Sequence, residues 1–316
     1  MKNIYSNIIK FNSKNLIKII KILKKNGIIG LPTETVYGLA GNAYSNSAIK
    51  KIFKVKKRLK RNPLIIHYYN LRHAKKDVFL DQKFHKIYKK FSPGPITYIV
   101  KKKSDSRIRP LACANLKTVG IRFPKNKIIR KLLKKLKFPL AMPSANKSSS
   151  VSPVKPFDVF EEFSNKVKVL DGGVSKIGIE STVLNLVENI CILRPGIITP
   201  KQIEKVLKTK VKISSKHTTI RSPGSLKKHY SPGIPIYINK KKCPSKFAFI
   251  TLGKKYPVTR NSFNLSRKSN LNEAAKNLYQ FFRSIKKKGY EKIYVSRIPN
   301  KGIGIAINDR LKRASK

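Results

Sequence analysis

The sequence predicts an α/β protein of two units, a large one built on a mixed sheet and a small one behind it. Short apolar runs of strand length alternate with amphipathic runs of helix length over the first ~210 residues, which is an α/β signature. Glycine or proline marks most junctions between them. Residues 214–235 hold Ser-Pro-Gly twice and carry no periodicity, so they read as a linker. The length of 316 residues fits two domains, set at 1–213 and 236–316.

Each element has a local reason. Residues 15–25 place Leu16, Ile19, Ile20 and Leu23 at helical spacing, and Gly27 suits the left-handed stop. Residues 28–31 read as a short buried strand closed by Pro32, and 47–58 as a helix with Ile49, Ile52 and Phe53 on related faces. A strand at 64–66 precedes a helix at 83–91, which Ser92-Pro93-Gly94-Pro95 halts in a rigid turn. Strands follow at 96–100 and 119–123, a helix at 127–136, and a strand at 140–142 leading into a serine-rich loop. Strands at 167–170, 182–186 and 190–193 and a helix after Pro200 complete the large unit. The small unit has strands at 236–238, 247–252 and 292–296 and a helix at 272–286, and Gly302-Ile303-Gly304 reads as a turn.

Composition narrows the function classes. Apolar residues make up 40%, enough for a core, which excludes a disordered basic tail. Lys plus Arg number 72 against 14 Asp plus Glu, a formal net charge of +58. Such a balance suggests a polyanion partner, but only 15 of the 72 are arginine. Lys, Ile and Asn share A/T-rich codons, so most of the excess reads as compositional drift. A sibling enzyme of ordinary charge from the same genome would overturn that reading. Cys113, Cys191 and Cys243 form no CxxC and read as reduced, buried cysteines of a cytosolic protein. The five histidines form no HExxH. Neither a membrane span nor a signal peptide is expected, since residues 4–9 are interrupted by Tyr5, Ser6 and Asn7.

The chemistry concentrates in polar loops that follow strands. Residues 32–39 pack hydroxyls and one carboxylate beside a proline and a glycine. A basic loop from Lys56 to Asn62 leads to a strand bearing His67. Arg122 sits inside an apolar strand, a costly position unless it meets an anion. Acids are scarce, so a ligand carboxylate or phosphate is its expected partner. Residues 143–152 offer hydroxyls and amides that suit phosphate, ribose or carboxylate. Residues 178–183 and 193–196 add Ser181 and Arg194. Arginine is the informative base here, because its planar fork matches phosphate and carboxylate.

In order and spacing these loops resemble the YrdC-type threonylcarbamoyl-adenylate synthases, in the long form with a C-terminal domain. The resemblance covers nearly the whole chain: PTETVYGL at 32–39, KxR at 56–58, His67, SPGPIT at 92–97, TVGIRFP at 118–124, PSAN at 143–146, GIEST at 178–182, RPG at 194–196, SPG at 222–224 with HYSP at 229–232, and AINDRL at 306–311. It implies a YrdC-like twisted mixed sheet with helices around a basic cavity, plus a small Rossmann-like α/β domain. It also implies a nucleotidyltransferase that condenses L-threonine, bicarbonate or CO2, and ATP with its Mg²⁺ into threonylcarbamoyl-adenylate and pyrophosphate, for tRNA threonylcarbamoyladenosine formation.

By motif, the resemblance assigns Thr35, His67, Arg122, Met142 and Ser181 to the threonine pocket, with Arg122 facing the carboxylate. Lys56 and Arg58 form the catalytic clamp on phosphate and carbamate. Arg58, Asn62, Thr118, Ser144, Asn146, Ser152, Arg194 and Tyr230 contact ATP, and no residue set is implied for a protein-bound metal. Tyr230 is expected to fold over the nucleotide, with 214–235 acting as a lid that excludes water. The implied partners are ATP, L-threonine and bicarbonate, a tRNA threonylcarbamoyl transferase that receives the product, and RNA held weakly by the basic surface. A cytoplasmic location away from membranes is implied as well. The chain departs from the family where Lys57 and Leu59 replace a glycine and a proline, where Lys125-Asn126 replaces His-Pro, and where Ser148-Ser149 replaces Ser-Gly. The lost glycine and proline of the 56–59 loop are expected to alter its rigidity, and the departures together the fine geometry of the site, not the reaction class. An RNA-binding module of the same fold, acting in ribosome or rRNA maturation, is the alternative from another class. A carbamoyl-transfer module of hydrogenase maturation would need CxxC repeats, which are absent.

Overall fold

A computed structural model describes residues 7–214 and 229–316. The apolar runs pair into one eleven-stranded mixed sheet. Near its middle, Thr118–Arg122 lies parallel to Ile65–His67 on one side and antiparallel to Ile96–Lys101 on the other. The register sets His67 beside Arg122 and Arg122 beside Thr97, so the polar ends of buried strands meet at one place. Ile96–Lys101 runs parallel to Thr182–Asn185, which is antiparallel to Cys191–Arg194. In the other direction Leu140–Ala141, Gly38–Asn42 and Ile29–Leu31 continue the sheet, each antiparallel to the last.

Period-two alternation gives the sheet two apolar faces. Leu39 and Ala141 join one cluster with Ile49, Ile52 and Phe53 of the helix Asn46–Lys56. Ala40, Leu140 and Met142 join another with Leu16, Ile19 and Leu23 of the helix Ser13–Lys24. Burial on both faces holds the central strands rigid, which is what a site at their ends requires.

Several elements go beyond those expected from sequence, and three of them show why. The strand Gly38–Asn42 has two glycines and no β-branched residue, so local propensity hides it. A Cβ at Gly41 would lie 3.2 Å from Ile52 and 3.3 Å from Ala48, so close helix packing explains that glycine. The helix Pro156–Phe163 starts on a proline, with Asp158 accepting from the Val154 and Lys155 amides. The helix Gly304–Ala314 begins on the second glycine of the segment read as a turn. A Cβ there would lie 2.0 Å from the Pro299 carbonyl, so this glycine serves close approach.

The helix Asn46–Lys56 ends at Lys57, whose φ of 50° is left-handed. A lysine there bears a steric cost that glycine avoids. Lys57→Gly is expected to raise stability by up to about 1 kcal/mol, since glycine's extra unfolded-state entropy offsets part of the gain. Urea denaturation checks this, and a loss of stability would contradict it.

The small unit is a second sheet of four parallel strands, in the order Ile236–Tyr237, Ile293–Val295, Ala248–Thr251, Ser262–Asn264. It is not a separate globule. Val36, Val151, Val154 and Ile179 of the large unit share an apolar cluster with Ala275, Leu278 and Tyr279 of the helix Leu271–Lys287. Gly178, with φ +84°, lies against that helix: a Cβ there would come within 2.4 Å of the Lys276 Cα. Most of the expected linker, residues 215–228, lies outside the described residues. The cysteines are free, but only Cys113 is buried; Cys191 and Cys243 are half-buried, because Cys191 lies toward the sheet edge and Cys243 in a surface turn. Among the described residues no helix is long and apolar enough to cross a membrane.

Candidate active site

The loops singled out by sequence converge on one cavity at the ends of the central strands. Arg58, His67, Arg122, Met142, Ser144, Arg194 and Tyr230 line it, with Glu180 and His229. Its three arginines come from a loop just past a helix end, a central strand and a strand three places along the sheet, and Arg122 and Arg194 are about 5% exposed or less. Arg122 Nε, His229 Nδ1 and the Tyr230 hydroxyl are buried without a hydrogen-bond partner among the described residues. Buried polar groups left unpaired are costly, so these atoms are open to a ligand or to water. The space open to water-sized molecules is only about 50 Å³, room for a few waters.

The remaining expected site residues sit behind this lining. Lys56 is buried and its ammonium donates to the backbone carbonyls of Ser144 and Asn146. It therefore ties the 143–146 loop to a helix end rather than facing the cavity. Thr35 is buried with its hydroxyl 2.8 Å from that of Thr33. Ser181 bridges Thr97 and Arg194, at 2.8 and 3.1 Å. Ser152 donates to Glu180 at 2.6 Å. Asn62 accepts from Arg58 through both its carbonyl and its amide oxygen, at 2.9 and 2.6 Å. Asn146 donates to the Lys147 and Ser150 carbonyls, closing its own loop. Thr118 stands at the far end of the five-residue strand from Arg122, roughly 13 Å along it. Only a ligand extending along the strand would touch it.

One expectation is corrected. Arg122 does have a protein carboxylate: its Nη2 donates to Glu34 Oε1 at 2.7 Å. Glu34 also accepts from the Lys125 and Asn126 amides, at 3.0 and 3.2 Å. Scarcity of acids did not leave Arg122 bare, because the carboxylate of the 32–39 loop folds onto it from across the sheet. Burial would raise the Glu34 pKa, but the charge and hydrogen bond of Arg122 and the backbone donors bring it below the ordinary value. Arg122 Nε remains the open position.

The electrostatics favour an anion. Burial and the charge of Arg194 both press on Arg58 to release its proton, yet a guanidinium stays charged in proteins. Two buried cations held together repel, and an anionic ligand relieves that repulsion. Among the described residues Glu180 is the one carboxylate of the lining. Burial pushes its pKa up, but the charges of Arg310 and Arg194 and a hydrogen bond from Ser152 outweigh this and hold it at about 2. It also accepts from Tyr279 at 3.1 Å and from Arg310 at 2.8 Å.

Burial favours the neutral form of both histidines of the lining. Burial and Arg122 push the His67 pKa well down, and its Nδ1 lies 3.2 Å from the Ile65 carbonyl, which accepts. Burial, reinforced by Arg58, Lys56 and Arg194 against the pull of Glu180, takes His229 down to about 3. The unfolded chain protonates its histidines near pH ~6.5 while the folded chain keeps these two neutral, so below that value the unfolded state binds more protons. Stability is therefore expected to fall on acidification from about pH 6.5, by about 1.4 kcal/mol per pH unit for each such histidine. Glu180 adds to the loss only below pH ~4.3, as pH falls toward its folded value. Urea denaturation at several pH values checks this. A flat profile between about pH 7 and about pH 5 would refute it.

Glu34, Glu180, His229, Tyr279 and Arg310 carried no assigned role in the sequence reading. Glu34, Glu180 and His229 stand within its motifs, and Arg310 falls in AINDRL, but none had a local reason to be singled out. Tyr279 belongs to a plain amphipathic helix.

A buried cavity rich in guanidinium, lined by the large unit with His229 and Tyr230, suits a small polyanion. Residues 21–196 match the family model described as Telomere recombination, and residues 198–316 match that of the Threonylcarbamoyl-AMP synthase, C-terminal domain. The chain belongs to the threonylcarbamoyl-AMP synthase family. It is 32% identical to the threonylcarbamoyl-AMP synthase of Bacillus subtilis (strain 168), over 96% of this chain and 94% of that one. Against the Pyrococcus abyssi enzyme of the same name identity is 33%, over 93% and 92%. A crystal structure of P. abyssi Sua5 complexed with L-threonine superposes with a TM-score of 0.89 at 28% identity, covering 98% of this chain and 97% of that one.

Proposed function

We propose that the protein is an L-threonylcarbamoyladenylate synthase, condensing L-threonine, bicarbonate or CO2, and ATP. The supporting observation is the cavity itself, where Arg58, Arg122 and Arg194 converge beside unpaired buried polar atoms and a carboxylate already neutralised. The relatives' names and the L-threonine complex support the same reading. Arg122 Nε takes the threonine carboxylate, with Glu34 fixing the guanidinium. Arg58 and Arg194 take the triphosphate and the carbamate. A carbamate oxygen attacks the α-phosphorus, the bond from that phosphorus to the bridging oxygen breaks, and pyrophosphate leaves. The arginines stabilise charge that develops on the phosphoryl oxygens.

The cavity offers Mg²⁺ only Glu180, already committed to three donors. No group of three metal-ligating side chains occurs among the described residues. Mg²⁺ is proposed as a counter-ion carried on ATP. His229 and Tyr230, at the end of the expected lid, line the cavity. A lid protects the carbamate and mixed anhydride from water. His229→Ala with Tyr230→Ala is expected to raise the share of consumed ATP that appears as free AMP; an unchanged share would reject the lid.

The function test is pyrophosphate release from ATP with threonine and bicarbonate omitted in turn. Release that ignores both omissions would reject the synthase and leave an RNA-binding role as the reading to pursue. Transfer of the product to a tRNA-modifying transferase follows from its chemistry, and a cytoplasmic location from that role.

A further inference from the structure

Arg310 lies in the helix Gly304–Ala314 of the small unit and is fully buried. Its Nε donates to Glu180 at 2.8 Å, its Nη2 to the Pro195 carbonyl at 2.9 Å, and its Nη1 to Asp309 at 2.6 Å. Its guanidinium also sits over the Tyr230 ring, 5.0 Å from the centroid. Glu180 thus stands between two arginines, Arg310 behind it and Arg194 on the cavity side.

The hydrogen bonds are partitioned unequally. Glu180 takes Ser152, Tyr279 and Arg310, whereas Arg194 donates to the Ser181 carbonyl and hydroxyl, each at 3.1 Å. Among the described residues no hydrogen bond joins Arg194 to Glu180. A carboxylate free to turn toward Arg194 would neutralise a cation that the ligand needs, and would itself repel the ligand.

We propose that Arg310 is a positioning residue for the nucleotide site: it holds Glu180 from behind and so leaves the Arg194 guanidinium to a phosphate of the ligand. The small unit therefore completes the electrostatics of a cavity built from the large one. Ser152 assists by holding the second oxygen at 2.6 Å, the Tyr279 hydroxyl lies 3.1 and 3.2 Å from the two oxygens, and the Pro195 contact anchors the turn that follows Arg194. The proposal rests on ATP being the ligand of this site.

The test measures ATP binding by calorimetry, and KM for ATP and for threonine, in four full-length forms: wild type, Arg310→Met, Glu180→Gln and the double variant. Arg310→Met is expected to weaken ATP binding roughly tenfold and raise the ATP KM alike, with the threonine KM little changed. Glu180→Gln removes the competing charge, so it binds ATP at least as tightly as wild type. The double variant recovers affinity to within about threefold of Glu180→Gln. It also removes both members of the pair, so it stays measurable if Arg310→Met alone fails to fold. Unchanged affinity in Arg310→Met, weakened affinity in Glu180→Gln, or no recovery in the double variant overturns the proposal. Absence of ATP binding in wild type would instead reject the functional reading beneath it.

Discussion

Arg58→Ala is expected to lower pyrophosphate release with all three substrates by about 10²–10³-fold, the usual cost of removing one donor that stabilises transition-state charge. The guanidinium has two tasks. Its Nε and Nη2 fasten the 58–63 loop through Asn62 and Pro63, at 2.6 to 2.9 Å. It also lines the cavity near Arg194. Asn62→Ala separates the tasks, because it removes one loop contact and keeps the charge. Its expected loss is roughly tenfold or less. Arg58→Lys keeps a charge without the fork and is expected to fall between the two. Equal losses in Asn62→Ala and Arg58→Ala would mean that Arg58 acts only by ordering the loop. Steady-state pyrophosphate release measures all three.

Arg122→Ala is expected to damage stability as well as activity. It leaves Glu34, 7% exposed, without its ionic partner in a buried position. Breaking a buried pair from one side costs about 3–5 kcal/mol. It also removes the group proposed to hold the threonine carboxylate. Adding Glu34→Gln removes the stranded charge, so the double variant is expected to recover most of the stability in thermal unfolding. Turnover that depends on threonine stays lost. If the double variant regained that turnover, Arg122 would serve the fold alone and the threonine assignment would fail. Glu34→Gln by itself keeps the cation but loosens it, so its main effect is expected on the threonine KM.

These expectations depend on long-range pairs, and that is where reading the sequence met its limit. The helix Ser13–Lys24 and the strands Ile65–His67 and Thr118–Arg122 were legible, because their periodicity lies within a few residues. The strand Gly38–Asn42 was not, since its glycines answer to a helix packed across it. The motif loops were legible as a set, and seven of their singled-out residues line one cavity. Lys56 illustrates the converse. The family resemblance implies a clamp cation there, but two carbonyls some ninety residues away turn its ammonium inward.

The opening charge balance divides along the same line. The sequence by itself determined the α/β alternation, the rarity of arginine within a +58 chain, and the inference that Arg122 inside an apolar strand must meet an anion. Only the tertiary structure decided which anion stands nearest. Glu34 reaches Arg122 across 88 positions, and Arg310 reaches Glu180 across 130. Periodicity reflects neighbours along the backbone, so it survives in one dimension. Charge pairing falls off with distance in space and strengthens as water is excluded, and both quantities exist only once the strands and the two units have packed.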